Sequence, residues 1–475
     1  MPLERSAEDG ISLAFLAVTE QRNLPSYLTG TSNDRRRTFP LLSFAPVPHT
    51  FPTVSQMAGA TTVKPWKSPL VGAALIILLT ILAYLPAMRG GFFWDDYVLI
   101  TDSPMVKAHN GLYRFWFTTE AADYYPLTSS LLWLEWRLWG NNASGYHVVN
   151  VLLHAISAVL VWLVLRRLRI PRAWLVALIF AVHPVNVATA GWISEQKTTL
   201  SMVFYAVAIL LYLEFDEGRH WRWYGLSLAA FLLALLSKSA VVMLPVVLLG
   251  CVWWTRGRVQ RRDIACSLPF FALSLLAGVS TVWFQYGNAM HWRTVRTADF
   301  DGRLATAGWL PWFYFFKAVL PFDLNVIYPK WEIGPGRLIS WLPGVLLIGC
   351  FLVFLRERKS WGGAALFGFG YFTVTLFPVL GFFDQAFYRF SLVADHWQYY
   401  SIVGVIALGV AAGERICCKI TGGGGSSVKA VASVVVLTAL IAATWTRASL
   451  YADAETLWRD TIAKNPNARA ARYDL

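Results

Sequence analysis

Charge is what this sequence has least of. Only 15% of its 475 residues are Asp, Glu, Lys or Arg, against roughly a quarter in an ordinary soluble domain. A conventional soluble protein is therefore excluded. Acids are the scarcer sign, 28 against 41 Lys and Arg, for a formal charge of +13. Such an excess can serve nucleic acid, but here the bases gather in short loops between apolar runs. The preference of Lys and Arg for the cytoplasmic ends of membrane helices explains that placement, and no nucleic-acid partner is expected. Cysteine is also sparse: Cys251, Cys266, Cys350, Cys417 and Cys418. None stands in a disulfide or metal-ligand spacing, so they read as small apolar residues. No metal and no cofactor are called for. No classical secretory signal is expected either, since the apolar patch from Ile11 to Val18 is short and follows acids.

What is present is apolar surface. The chain is 56% hydrophobic and 15% aromatic, with repeated runs near the length of about 17–25 residues that cross a bilayer as helix. These imply an all-α polytopic membrane protein of about eleven spans. Residues 1–64 read as a disordered cytoplasmic tail, residues 65–446 as the transmembrane domain and residues 447–475 as an extracytoplasmic helical tail. Basic ends at Arg166-Arg167-Leu168-Arg169, at Arg219 and Arg222, and from Arg256 to Arg262 alternate with ends of few bases. That alternation puts the loop 90–146 outside. Its Trp116, Trp133, Trp136 and Trp139 fit helices lying along the membrane surface. Parity makes the segment 305–322 a re-entrant or interfacial stretch that begins and ends outside, the alternative being that one neighbouring span is assigned wrongly.

The sharpest chemical signal is Gly90-Gly91-Phe92-Phe93-Trp94-Asp95-Asp96-Tyr97, two carboxylates among aromatics at the mouth of the first span. A carboxylate within reach of a hydroxyl can act as general base, and apolar surroundings raise its pKa. The rival reading is a helix cap, where acids favour an N-terminus. Asp95 and Asp96 are the catalytic candidates. Ionisable groups near membrane depth mark sites or pathways, and His183, Glu195, Lys197, Lys238, Arg389, Asp395 and His396 fall on the same outer side. Lys197, Lys238 and Arg389 could hold a phosphate or merely snorkel to the headgroups. Asp395 and His396 are adjacent, so on a helix they would not face each other.

Several short stretches stand in a telling order: Phe93-Trp94-Asp95-Asp96, Tyr125-Pro126-Leu127, and Gly145-Tyr146-His147-Val148-Val149-Asn150 with His154. Then come Ala181-Val182-His183-Pro184, Trp192-Ile193-Ser194-Glu195-Gln196-Lys197, Ser237-Lys238 with Pro245, and Ala394-Asp395-His396 with Tyr399. In this order the chain resembles the membrane half of the transmembrane and tetratricopeptide repeat proteins and their bacterial relatives, glycosyltransferases of the GT-C fold akin to protein O-mannosyltransferases. The tail at Trp458 and Asn465-Pro466 resembles the start of a tetratricopeptide repeat.

The resemblance implies transfer of a sugar, typically mannose, from a polyprenyl phosphate to a hydroxyl such as Ser or Thr of an acceptor protein. The acid of the first outer loop would be the base. Asp95 takes that place, and Asp96 that of the second acid. The implied setting is a bacterial inner membrane, or an ER membrane in a eukaryote. The chain departs from the pattern at Asn186 and Ala188, where a His and a Glu are frequent. It departs again at Gln196, where an Arg is frequent, and at His396-Trp397 in place of Arg-Tyr. These positions lie near the presumed phosphate and sugar. Two rival readings are a lipid-linked-sugar transporter and a silent membrane scaffold presenting the tail. A transporter would show internal repeats and midplane charges, and neither is seen.

Overall fold

The computed structural model describes residues 68–422 and 425–475; the tail expected over residues 1–64 lies outside them. Every regular element among the described residues is helical, as expected for an all-α membrane protein. Helix α1 (Pro69–Tyr84) leads into a surface segment of three helices, α2 (Pro104–Lys107), α3 (Gly111–Phe117) and α4 (Pro126–Trp139). The bundle continues with α5 (Ala143–Arg167), α6 (Ala173–Ala181), α7 (Val187–Ala190), α8 (Gln196–Gly218), α9 (Trp221–Ser237), α10 (Leu244–Arg256) and α11 (Arg261–Phe284). It closes with α12 (Phe300–Val319), α13 (Leu342–Arg356), α14 (Gly362–Leu376), α15 (Ile402–Ile420), α16 (Ser426–Leu450), α17 (Ala454–Lys464) and α18 (Arg469–Tyr473).

Five of these stretches are long and apolar enough to cross a membrane, or six if one bent pair is a single span. The expected count of about eleven is not reached by that measure. Several assigned spans, such as α1, α9 and α13, are shorter apolar helices. The bent pair is α6 with 184–190, which turn by 46° where one straight span was expected. Pro184 is the cause: it offers no amide proton and disfavours helix at the residue before it. His183 accordingly sits in extended backbone.

For the segment 305–322, one of the two expected forms is ruled out. Most of it lies in the unbroken helix α12. An unbroken helix of that length advances about 1.5 Å per residue, so it is no re-entrant hairpin. Burial orders the layers. The most apolar part of Ile193–Gly218 is 61% buried and forms the centre, whereas that of Ser426–Leu450 is 6% buried and presents its apolar sides outward.

Candidate active site

The acid turn follows α1 and is bent by one residue. Trp94 has φ 51°, a left-handed conformation that costs a bulky residue on the order of 1–3 kcal/mol. Aromatic packing holds it there. The Trp94 ring lies parallel to Trp192 at 5.5 Å and 5°, with Phe390 edge-on at 5.3 Å and Trp458 at 5.5 Å.

The bend sends the two carboxylates different ways. Asp96 is fully buried. One of its oxygens accepts from the Phe93 amide at 3.2 Å. The other accepts from the Ser194 amide at 2.8 Å and from the Ser194 hydroxyl. Burial pushes its pKa up to about 7, against those three hydrogen bonds. Asp95 is half-buried, and no hydrogen bond from the described residues reaches its carboxylate. Burial raises its pKa; the Lys197 ammonium works against that rise, and Glu195 and Asp123 add to it.

Glu195 is the hub facing it, at 2% exposure. Its Oε2 accepts from Lys238 Nζ at 2.8 Å and from the Thr198 hydroxyl. Its Oε1 lies 3.4 Å from Lys197 Nζ. Lys238 also donates to Thr198 Oγ1 at 2.7 Å. Asn150 places this hub. From α5 its amide nitrogen donates to the carbonyls of Thr189 (2.9 Å), Ala190 (3.2 Å) and Trp192 (2.9 Å), and its oxygen accepts from Thr199 (2.6 Å). The turn carrying Trp192, Ser194 and Glu195 is thereby fixed to a central helix. Thr128 donates to the Ser237 carbonyl at 2.9 Å and so ties α4 beside Lys238.

The other expected residues divide. His396 joins the cluster, with Nε2 3.7 Å from Glu195 Oε1. Burial lowers its pKa to about 3, so it is a neutral imidazole beyond hydrogen-bond range. Arg389 stands at the rim, exposed, donating to the carbonyls of Ala386 and Ala289 at 2.9 Å each. It acts on Asp95 through its charge and makes no ion pair among the described residues. Asp395 turns away and accepts from the Tyr328 hydroxyl at 2.7 Å; burial raises it to about 6. His183 is an internal tie, with Nε2 3.0 Å from the Ala318 carbonyl and Nδ1 accepting from the Val185 amide at 3.3 Å. It is not brought to the lysines.

Two members stand outside the expected site residues, although Asp123 falls on the same outer side by sequence. Asp123 shares the field of Lys197 and Lys238, with burial raising its pKa. Gln285 donates to Asp123 at 2.5 Å and accepts from the Ala386 amide at 3.0 Å, linking it to the loop of Arg389. Asp123-Tyr124-Tyr125 repeats the acid-beside-aromatics pattern of Trp94-Asp95, and that was the available signal. Among the described residues no group of three or more His, Cys, Asp or Glu could hold a metal ion.

The departure at Gln196 has a structural counterpart. Gln196 donates to Glu135 Oε1 at 2.7 Å, while Glu135 Oε2 and Gln196 Oε1 have no partner among the described residues. Glu135 is 1% exposed, and burial raises its pKa to about 8. A proton on Glu135 supplies the donor that Gln196 Oε1 lacks, giving a neutral acid–amide pair.

Residues 123–284, which hold Asp123, Glu195, Lys197 and Lys238, match the family model of dolichyl-phosphate-mannose-protein mannosyltransferases. Over these residues the chain is similar to that family. The chain is 27% identical over 158 residues to the protein O-mannosyl-transferase F38B6.6 of Caenorhabditis elegans, covering 30% of this chain and 23% of that protein. It is 30% identical over 185 residues to the protein O-mannosyl-transferase Tmtc1 of Drosophila melanogaster, covering 36% and 22%. The chain thus spans less than a quarter of either relative. The crystal structure of ArnT from Cupriavidus metallidurans bound to undecaprenyl phosphate superposes with a TM-score of 0.36 at 14% identity, over 86% of this chain and 79% of that one. The acid pair lies before the stretch that the family model matches.

Proposed function

We propose that this membrane protein is a GT-C-type glycosyltransferase moving a sugar, mannose by analogy with the matched family, from a polyprenyl phosphate to a Ser or Thr hydroxyl on the extracytoplasmic face. One observation carries the reading. Asp95 offers a half-buried carboxylate, unbonded among the described residues, beside Lys197, next to a region similar to mannosyltransferases that use dolichyl-phosphate mannose. Asp95 takes the acceptor hydroxyl proton, and the freed oxygen attacks the anomeric carbon. The bond from that carbon to the phosphate oxygen breaks, releasing polyprenyl phosphate.

Charge decides which cation meets the leaving group. Lys197 and Lys238 already face Glu195, so they hold the cluster near neutrality more than they attract a new anion. Arg389, free of any carboxylate among the described residues, is the cation best suited to the developing phosphate charge. Asp96 holds the turn in shape. The orientation rests on the alternation of basic loops. The test is transfer of labelled sugar from polyprenyl phosphate to acceptor peptides in proteoliposomes. Flux of the lipid-linked sugar without covalent transfer would overturn it in favour of a transporter.

A further inference from the structure

The helical tail is bound to the acid turn, and we propose that Trp458 is a positioning residue for Asp95. Trp458 sits on α17 and is 1% exposed. Its ring meets Trp94 at 5.5 Å and 75° and Phe93 at 6.2 Å and 79°. The link before α17 presses on the same turn: Tyr451 meets Phe93 at 5.9 Å, and a Cβ on Gly90 would stand 2.6 Å from the Tyr451 carbonyl oxygen. Helix α17 is itself pinned. Asp453 caps it through the Thr456 amide at 2.8 Å, Asp460 pairs with Arg447 at 3.1 Å, and Asn465 donates to the Ile327 carbonyl at 3.1 Å.

The left-handed residue of the turn therefore has Trp192 against its face, with Phe390 and Trp458 both meeting it edge-on. Only the first belongs to the region that matches the family model. Asp95 follows Trp94 directly, so the Trp94 backbone sets where its carboxylate points among Lys197, Glu195, Asp123 and Arg389. Loss of the Trp458 edge frees Trp94 to relax out of the left-handed region, and that carries Asp95 with it. The tail is thus part of the frame of the site.

This inference rests on the proposed transfer, so the test has two readouts on the full chain. In proteoliposomes W458A lowers kcat about tenfold or more, since small misplacement of a reacting group is costly. The KM for the polyprenyl-phosphate sugar stays within about threefold, and W458F restores most of kcat. The acid limb of kcat moves in W458A and stays in W458F. If W458A fails to accumulate, W458L carries the same expectation. Wild-type kcat with an unmoved acid limb, or a loss that W458F does not restore, overturns the inference. The second readout needs no chemistry. In the Asp95→Cys variant the thiol reacts with an impermeant maleimide, and adding W458A changes that rate about fivefold or more, whereas adding W458F changes it little. An unchanged rate overturns the positioning. A changed rate together with no sugar transfer by the wild type supports the positioning and overturns only the transferase reading.

Discussion

Asp96 is joined to Ser194 by two hydrogen bonds onto one carboxylate oxygen, from the amide at 2.8 Å and from the hydroxyl. That bond closes the acid turn against the start of α8 and leaves Asp95 as the carboxylate facing the cations. Asp96→Asn keeps the oxygen toward Ser194 but sets an NH2 group against the Phe93 amide. An unsatisfied buried donor costs about 1–3 kcal/mol. A thermal denaturation series in detergent should show that loss.

The Lys238–Glu195 contact at 2.8 Å joins a half-buried ammonium to a buried carboxylate. Removing one partner of such a pair costs about 3–5 kcal/mol, because the other charge stays buried and uncompensated. Lys238→Met is therefore strongly destabilising, and Glu195→Gln/Lys238→Met is less so than the two single changes added together. Additive losses would mean that the contact carries no coupling.

Lys197 lowers the pKa of Asp95 against the rise due to burial. A general base works only when ionised, so turnover falls as the pH drops through its pKa. Without Lys197 that pKa climbs further. Lys197→Met should then move the acid limb of kcat to higher pH. A limb that stays in place would detach Lys197 from Asp95.

Glu135 supplies a stability test. Its folded pKa, raised to about 8 by burial, exceeds the ordinary carboxylate value, so the folded state holds a proton that the unfolded chain has released. Its contribution is fully present below the unfolded pKa and is lost as the pH rises through about 8. A tenfold difference in proton affinity between the folded and unfolded states is worth about 1.4 kcal/mol. Glu135→Gln keeps both amide hydrogen bonds and has no proton to lose. Its thermal midpoint should fall less than that of the wild type between about pH 5 and pH 8. Asp96 and Asp395, raised to about 7 and about 6, keep some slope of the same sign.

Much of the fold was written in the residues. Apolar runs and basic ends announced a helical membrane protein, and Pro184 held the signal for the break that bends its span. The split between Asp95 and Asp96 was not legible. Adjacent acids look alike in sequence, and a single left-handed residue, Trp94, decides which one turns inward. Spacing likewise could not separate His396, which meets Glu195, from Asp395, which meets Tyr328. Asp123 needed Gln285 to reach it from the far end of α11. Trp458 looked like part of an appendage because its contacts are made wholly by tertiary docking.

The central claim is that Asp95 is the base. Its most direct test is turnover of labelled sugar from a polyprenyl-phosphate donor by Asp95→Asn beside the wild type in proteoliposomes. A base contributes about 10²–10⁴-fold, so turnover should drop by at least the lower figure while the thermal midpoint stays close to that of the wild type. Turnover at the wild-type level in Asp95→Asn would contradict the assignment.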